Sequence, residues 1–147
     1  MNIGIALPAR LAEIVDDFSL AEGSEKLEML LQYSETLPPL PDWLKGKEAE
    51  MEAVPECMTP VSVTAEVMDG GMVFYFKVPP ESPTVRGYAA IVAEGLHGVS
   101  PEQVLSLPPD FYLPMGLQQV LTPQRMNGMA AIVAHIKRLA LEQISKQ

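Results

Sequence analysis

One cysteine and two histidines are the strongest candidates for chemistry in this chain of 147 residues. The cysteine, Cys57, stands in V-P-E-C-M-T-P-V-S-V, residues 54–63, between Pro55 and Pro60 and just ahead of a strand-like run. A lone thiol cannot close an intrachain disulfide or build a structural zinc site by itself, and it rules out a self-contained dithiol redox cycle. It can act as a nucleophile or hold one sulfur atom in passing, at a rate set by its thiolate fraction and access. The other reading is packing, because free cysteine is among the most buried residue types and is usually inert. Proline fixes its own backbone angle and lacks an N–H. Cys57 is therefore expected in a stiffened turn, and loops on rigid scaffolds are where functional groups concentrate. On the residues alone both readings stand.

The remaining chemistry is sparse. His97 and His135 fall in different predicted helices, and no local spacing makes them a metal pair. His97 lies near a helix end and is expected to face solvent; His135 lies beside apolar positions and is expected to be structural. There is no G-x-x-x-x-G-K-[ST] loop, no G-x-G-x-x-G after a strand and no G-x-S-x-G elbow. The nine methionines are scattered, which reads as packing. Acidic residues number 19 against 10 basic, a formal net charge of −9. Nucleic-acid binding needs the opposite sign, whereas an acidic surface suits a partner with a basic docking face. No stretch approaches the roughly 18 apolar residues of a membrane span. The N-terminus M-N-I-G-I-A-L-P-A-R lacks a basic leader with an apolar core. The expectation is a cytoplasmic protein without membrane or nucleic-acid contact.

The elements that must position Cys57 follow from periodicity. Pro8 fits the first turn of a helix with Leu11, Ile14, Val15 and Phe18 on one face. Ser24 is expected to cap a second helix with Leu27, Leu30 and Leu31 inward, ending near Tyr33 or Ser34. Thr36 to Lys47, with Pro38, Pro39 and Pro41, reads as an irregular surface loop anchored by Trp43. Val61, Val63, Ala65 and Val67 then alternate with polar residues, Asp69-Gly70-Gly71 signals a turn, and Met72 to Val78 is β-prone. A hairpin over about residues 61–78 follows, with a short edge strand around Met51 to Val54. Three helices come next, opened by Ser82-Pro83, Ser100-Pro101 and Thr122-Pro123, with Gly98 closing the first of them. Gln103 completes a capping box, and Met129, Ile132, Val133, Ile136 and Ala140 share one face of the last helix. Its C-terminal half carries Lys137, Arg138 and Lys146, the sign the helix dipole favours. The fold class is α+β in one domain, residues 1–147: a small antiparallel sheet packed against N-terminal and C-terminal helices.

Four segments, in order over about residues 10 to 140, resemble the SufE-like sulfur acceptors, a domain associated with cysteine desulfuration and iron–sulfur metabolism. L-P-P-L-P, residues 37–41, has a counterpart in that family. V-P-E-C-M-T-P-V-S-V is similar to the family's V-x-G-C-x-S-x-V. T-V-R-G-Y-A-A-I-V-A-E-G-L-H-G-V-S-P-E-Q-V resembles its V-[KR]-G-L helix and the x-[LM]-[ST]-P-x-[ED]-[IV] continuation. L-T-P-Q-R-M-N-G-M is close to L-T-P-S-R-x-x-G. The departures are Glu56 for the usual glycine, Thr59 for a serine, and P-P-E-S-P at residues 79–83 for G-D-S-D, which keeps only Ser82.

The resemblance implies a sulfur-transfer accessory protein, a persulfide carrier that is not a stand-alone enzyme. Cys57 would accept persulfide sulfur from a SufS-like cysteine desulfurase, stimulate that enzyme and pass the sulfur on to an iron–sulfur scaffold complex. It implies no cofactor and no metal on this chain, the pyridoxal phosphate belonging to the desulfurase. Val54, Pro55, Glu56, Met58 and Thr59 form the loop around the site. Arg125 is the candidate thiolate stabiliser, at an electropositive helix N-terminus, and Arg86 a candidate partner contact. A carboxylate at position 56 should raise the thiol's pKa. Cys57 is expected to be largely covered, with Val54 and Met58 as apolar neighbours. The competing reading is a non-catalytic interaction or regulatory module of the same fold in which Cys57 only packs. A cluster scaffold would need several thiolates.

Overall fold

The computed structural model describes residues 7–146; the expectation of a leaderless N-terminus falls on residues 1–6, outside them. The described residues open with two helices, α1 (Ala9–Leu20) and α2 (Gly23–Ser34). Leu11, Ile14, Val15 and Phe18 are the buried stripe of α1, as their spacing predicts, and Pro8 is its N-cap. Ser24 does not cap α2. The helix starts two residues earlier, with Glu22 in the cap position and its N–H donating to Glu25 Oε1 at 2.9 Å. Its inward face also differs from expectation: Leu30 is buried, Leu31 is exposed, and Lys26 is buried instead. Lys26 Nζ donates to the carbonyls of Phe18 and, at 2.8 Å, Met115. A cation is favoured at the C-terminal carbonyls of α1, and both its partners are acceptors, so the buried charge is satisfied.

The segment from Thr36 to Lys47 is not wholly irregular, because Asp42–Leu44 forms a 3₁₀ turn. Leu44, not Trp43, is its buried anchor. Trp43 is half exposed and lays an edge against Tyr75, with ring centroids 5.6 Å apart. Tyr75 lies on the sheet's outer face and donates to Glu66; burial and that carboxylate push its hydroxyl up to about 12.

Three antiparallel strands in the order β1 (Glu52–Ala53), β2 (Ser62–Met68) and β3 (Gly71–Lys77) make the sheet. Val63 pairs with Phe76 and Ala65 with Phe74, so β2 and β3 share an apolar face, on whose side Glu52 of β1 pairs with Val63. Val67, expected inward by alternation, is partly exposed where the hairpin runs past the helices. Asp69 and Gly70 have φ of 53° and 82°, the left-handed pair that a two-residue type I′ hairpin requires. Beyond the hairpin, Met72 N–H donates to Val99 O and Gly98 N–H to Met72 O, each at 2.8 Å.

Helix α3 (Pro83–Gly95) crosses the apolar face with Tyr88 to Val92 all buried. It ends at Gly95, before Gly98, whose φ of 77° turns the chain back toward the sheet. Its Gly87 meets α2 so closely that a Cβ would fall 2.1 Å from Leu30 O, which explains the glycine of the T-V-R-G-Y stretch. The short α4 (Pro101–Leu105) is capped by Ser100, whose Oγ accepts from Gln103 N–H at 3.2 Å. Finally α5 (Pro123–Ser145) is capped by Thr122 and buries Met129, Ile132, Val133, Ile136 and Ala140. Its basic residues tie other elements to it. Lys137 donates to the carbonyls of Leu105 (3.0 Å) and Leu107, and Arg138 pairs with Glu52. One continuous apolar core joins α1, α2, the sheet, α3 and α5.

Candidate functional site

Cys57 lies on the excursion between β1 and β2. Val54 N–H donates to Val61 O at 2.9 Å and both valines are buried, so the loop leaves and re-enters the sheet at a pinned base. Val54, Pro55, Glu56 and Cys57 form a turn closed by Cys57 N–H on Val54 O at 3.2 Å. Proline is favoured at the second position of such a turn. Farther along, Thr59 Oγ1 and Ser82 Oγ are 2.7 Å apart. The Ser82 hydroxyl, expected to cap α3, instead ties the thiol loop to the start of that helix.

The thiol itself is half-buried, less covered than expected. Met58 does not shield it and is 78% exposed, whereas Val54 is 2% exposed beneath the loop. The Sγ lies 3.7 Å from Gly128 O on α5, within reach of a weak S–H donation. A Cβ at Gly128 would sit 3.2 Å from that sulfur, so this glycine keeps the floor under the thiol low. Beside Sγ opens a cavity of about 470 Å³ whose walls include Thr84, Val85 and Tyr88 from α3, and Leu121, Arg125 and Met129 from the start of α5 and its approach. Tyr88 is buried, and its hydroxyl donates to Met129 O at 3.3 Å, fixing α3 to α5 behind the site.

Two influences set the thiol's acidity. Burial pushes Cys57 above its ordinary value, and the Glu56 carboxylate pushes in the same direction. Glu56 is itself held below the usual carboxylate range by a backbone N–H and by His135, whose Nε2 is 3.1 Å away. Arg125 lines the same cavity, but its Nη1 donates to Thr84 Oγ1 at 2.6 Å. Arg86 is not brought to the site: its guanidinium donates to Val78 O at 2.9 Å, clamping the first turn of α3 to the end of β3. Of the sequence-predicted residues, the structure gathers Cys57, Met58, Thr59 and Arg125 around one cavity and bonds Arg86 to the end of β3.

Sequence reasoning missed Thr84, Tyr88, Gly128 and the engagement of His135. His97 is exposed, as expected. His135 is more than packing, since Glu52 takes its Nδ1 and Glu56 its Nε2. One signal was available: His135 follows Gly128 by seven residues, so both lie on the same side of α5, beneath the loop.

The comparisons bear on the family and the fold. The SufE family, described as the Fe-S metabolism associated domain, matches residues 12–140. An uncharacterized SufE-like protein of Mycobacterium tuberculosis is 42% identical over 139 residues, covering 94% of this chain and 96% of that protein. A protein of Plasmodium vivax named cysteine desulfuration protein SufE is 28% identical over 100 residues, covering 68% of this chain and 39% of its own length. The solution structure of a hypothetical protein from Thermus thermophilus superposes with a TM-score of 0.84 at 35% identity, covering 95% of this chain and 99% of that one. With the family matched across most of its length and the α+β fold shared, this chain belongs to the SufE family of Fe–S metabolism associated domains.

Proposed function

We propose that this chain accepts persulfide sulfur from a SufS-like cysteine desulfurase on Cys57, stimulates that enzyme by clearing its thiol, and delivers the sulfur to an iron–sulfur scaffold. The observation that carries the proposal is the setting of the only cysteine. It is half-buried on a loop pinned at its base and at Thr59, beside a cavity roomy enough for an added sulfur atom. The desulfurase supplies the chemistry that frees sulfur from cysteine, using its own pyridoxal phosphate, and presents it as a persulfide. The Cys57 thiolate attacks the outer sulfur of that persulfide. A new S–S bond forms on Cys57, the donor's S–S bond breaks, and the electron pair leaves with the donor thiolate. No oxidant or reductant is consumed.

The attacking species must be the thiolate, and here both burial and Glu56 oppose it. Docking of the desulfurase is therefore part of the mechanism: it draws the loop outward, relieves the burial, and frees Arg125 to face the developing thiolate. The same opposition favours a second reading, in which the fold is kept as an interaction module and Cys57 packs.

Intact mass after mixing the chain with desulfurase and free cysteine separates the two. A gain of whole sulfur atoms that reductant reverses, absent in Cys57→Ser, is expected for the acceptor. No gain with an active desulfurase would leave the packing reading.

A further inference from the structure

Three elements meet beside the thiol loop through polar side chains. Glu52 comes from β1, His135 from α5 and Glu56 from the loop itself. The His135 ring is bonded to Glu52 through Nδ1 and lies 3.1 Å from Glu56 Oε1 through Nε2. Arg138, one turn further along α5, pairs with Glu52, its Nε 3.0 Å from Oε2, and with Glu142 at 2.9 Å. Glu52 and His135 are mostly covered, at 14% and 19% side-chain exposure, while Glu56 is 55% exposed. The ring is thus seated from the inside by a carboxylate that a guanidinium already pairs. Its other nitrogen reaches outward to the residue immediately before Cys57. The two carboxylates engage opposite edges of the imidazole, so they do not converge on a common point as ligands of one metal ion must.

We propose that His135 is a positioning residue for the thiol: seated by Glu52 and Arg138, it holds Glu56 against α5 and thereby fixes where Cys57 stands at the mouth of the cavity. The inference rests on the acceptor reading of Cys57 for its functional meaning, and on geometry alone for the strut. It gives a use to Glu56, the residue that departs from the glycine of the resembling motif. The loop has its base bond at Val54 and its hydroxyl bond at Thr59, and between them the thiol is a neighbour of Glu56. Without the strut, the turn Pro55-Glu56 keeps Cys57 N–H on Val54 O at 3.2 Å and the weak Sγ contact to Gly128 O at 3.7 Å, and loses its carboxylate tie to α5.

Alkylation of Cys57 by iodoacetamide, followed across pH without desulfurase, tests this. The midpoint reports the thiol's ionisation, and the rate at pH 6 divided by the thiolate fraction that the midpoint gives reports its access. Access is read on the acid side because two carboxylates both accept from one imidazole only when both ring nitrogens carry protons. His135→Ala and Glu56→Ala should each raise that corrected rate by roughly three- to tenfold, the effect of losing one hydrogen bond to a carboxylate at a half-exposed site. The double variant should exceed neither, because both cut the same strut. Glu56→Gln keeps a side-chain oxygen facing the ring and should stay within about twofold of the parent's corrected rate. A general loss of stability would lower the unfolding temperature without this pattern. Unchanged corrected rates in the Ala variants, or effects that multiply in the double variant, overturn the strut. Should His135→Ala fail to fold, Glu56→Ala alone decides, since Glu56 is a surface side chain. The acceptor reading fails separately, by an absence of persulfide on the parent chain, and that result leaves the alkylation pattern untouched.

Discussion

At the scale of single residues the site is governed by what crowds one sulfur atom. Gly128 lies directly beneath it, and a methyl group there would come within 3.2 Å of Sγ. Gly128→Ala should hold or raise the unfolding temperature, because alanine favours a helix interior over glycine by about 1 kcal/mol. It should nonetheless cut sulfur loading severalfold by filling the space under the thiol; mass spectrometry of the loaded chain beside a thermal melt would separate the two. Charge acts on the same atom. Since Glu56 raises the thiol's pKa, Glu56→Gln should shift the midpoint of Cys57 alkylation to lower pH, making the thiol more reactive at neutral pH. A midpoint that stays put or rises would show that the carboxylate does not act on the thiol. The sequence disclosed Cys57, its flanking prolines and the sign of the Glu56 effect, because those depend on neighbours along the chain. It marked Gly128 only as the glycine of L-T-P-Q-R-M-N-G-M, without its place under the thiol, and gave no sign of Thr84 or of the role of His135, which reach the thiol only across the core.

Elements were read where a local rule fixes them. Ser100 and Thr122 cap helices because a hydroxyl ahead of proline has an N–H two or three residues on to accept. The Asp-Gly turn was legible because two left-handed residues admit little else. The rule failed where a side chain found a better partner. Ser82 gave its hydroxyl to Thr59, and Ser24 was displaced by Glu22 and Glu25. Helix against helix is decided by a different constraint, the approach of α2 to α3 at Gly87. Gly87→Ala would drive a methyl into Leu30 O, a backbone atom that cannot rotate away. A loss of about 2 kcal/mol or more in urea unfolding is expected, with m unchanged if the native architecture survives. Nothing local in the sequence signals that Arg86 donates to Val78 O, a tie made across the junction of β3 and α3.

Across the whole molecule, the α+β class and the hairpin were available from periodicity, whereas the ties between distant parts were not. Lys26 is the clearest case. Its spacing gives no hint of burial, yet it is 2% exposed and joins α1 and α2 to the segment before α5. Lys26→Met should cost about 1–3 kcal/mol by leaving Met115 O without its donor, and calorimetry should still show one transition. A variant as stable as the parent would mean that packing, not the ammonium, holds that junction. Lys137 and Arg138 make the same point, since a charge pattern suited to a helix end turned out to serve α4 and β1.

The bridge from Met72 to Val99 has a consequence for solubility. The stretch M-V-F-Y-F, residues 72–76, is uncharged, free of proline and rich in β-formers, the composition of an aggregation-prone strand. Its hairpin partner covers one side, and the Gly98–Val99 backbone blunts the start of the other. That backbone comes close only because residue 71 lacks a side chain; a Cβ there would fall 2.5 Å from Gly98 O. Gly71 thus lets the chain cover the start of an edge that a second copy could otherwise pair with, and a larger residue there should raise light scattering as the protein is concentrated.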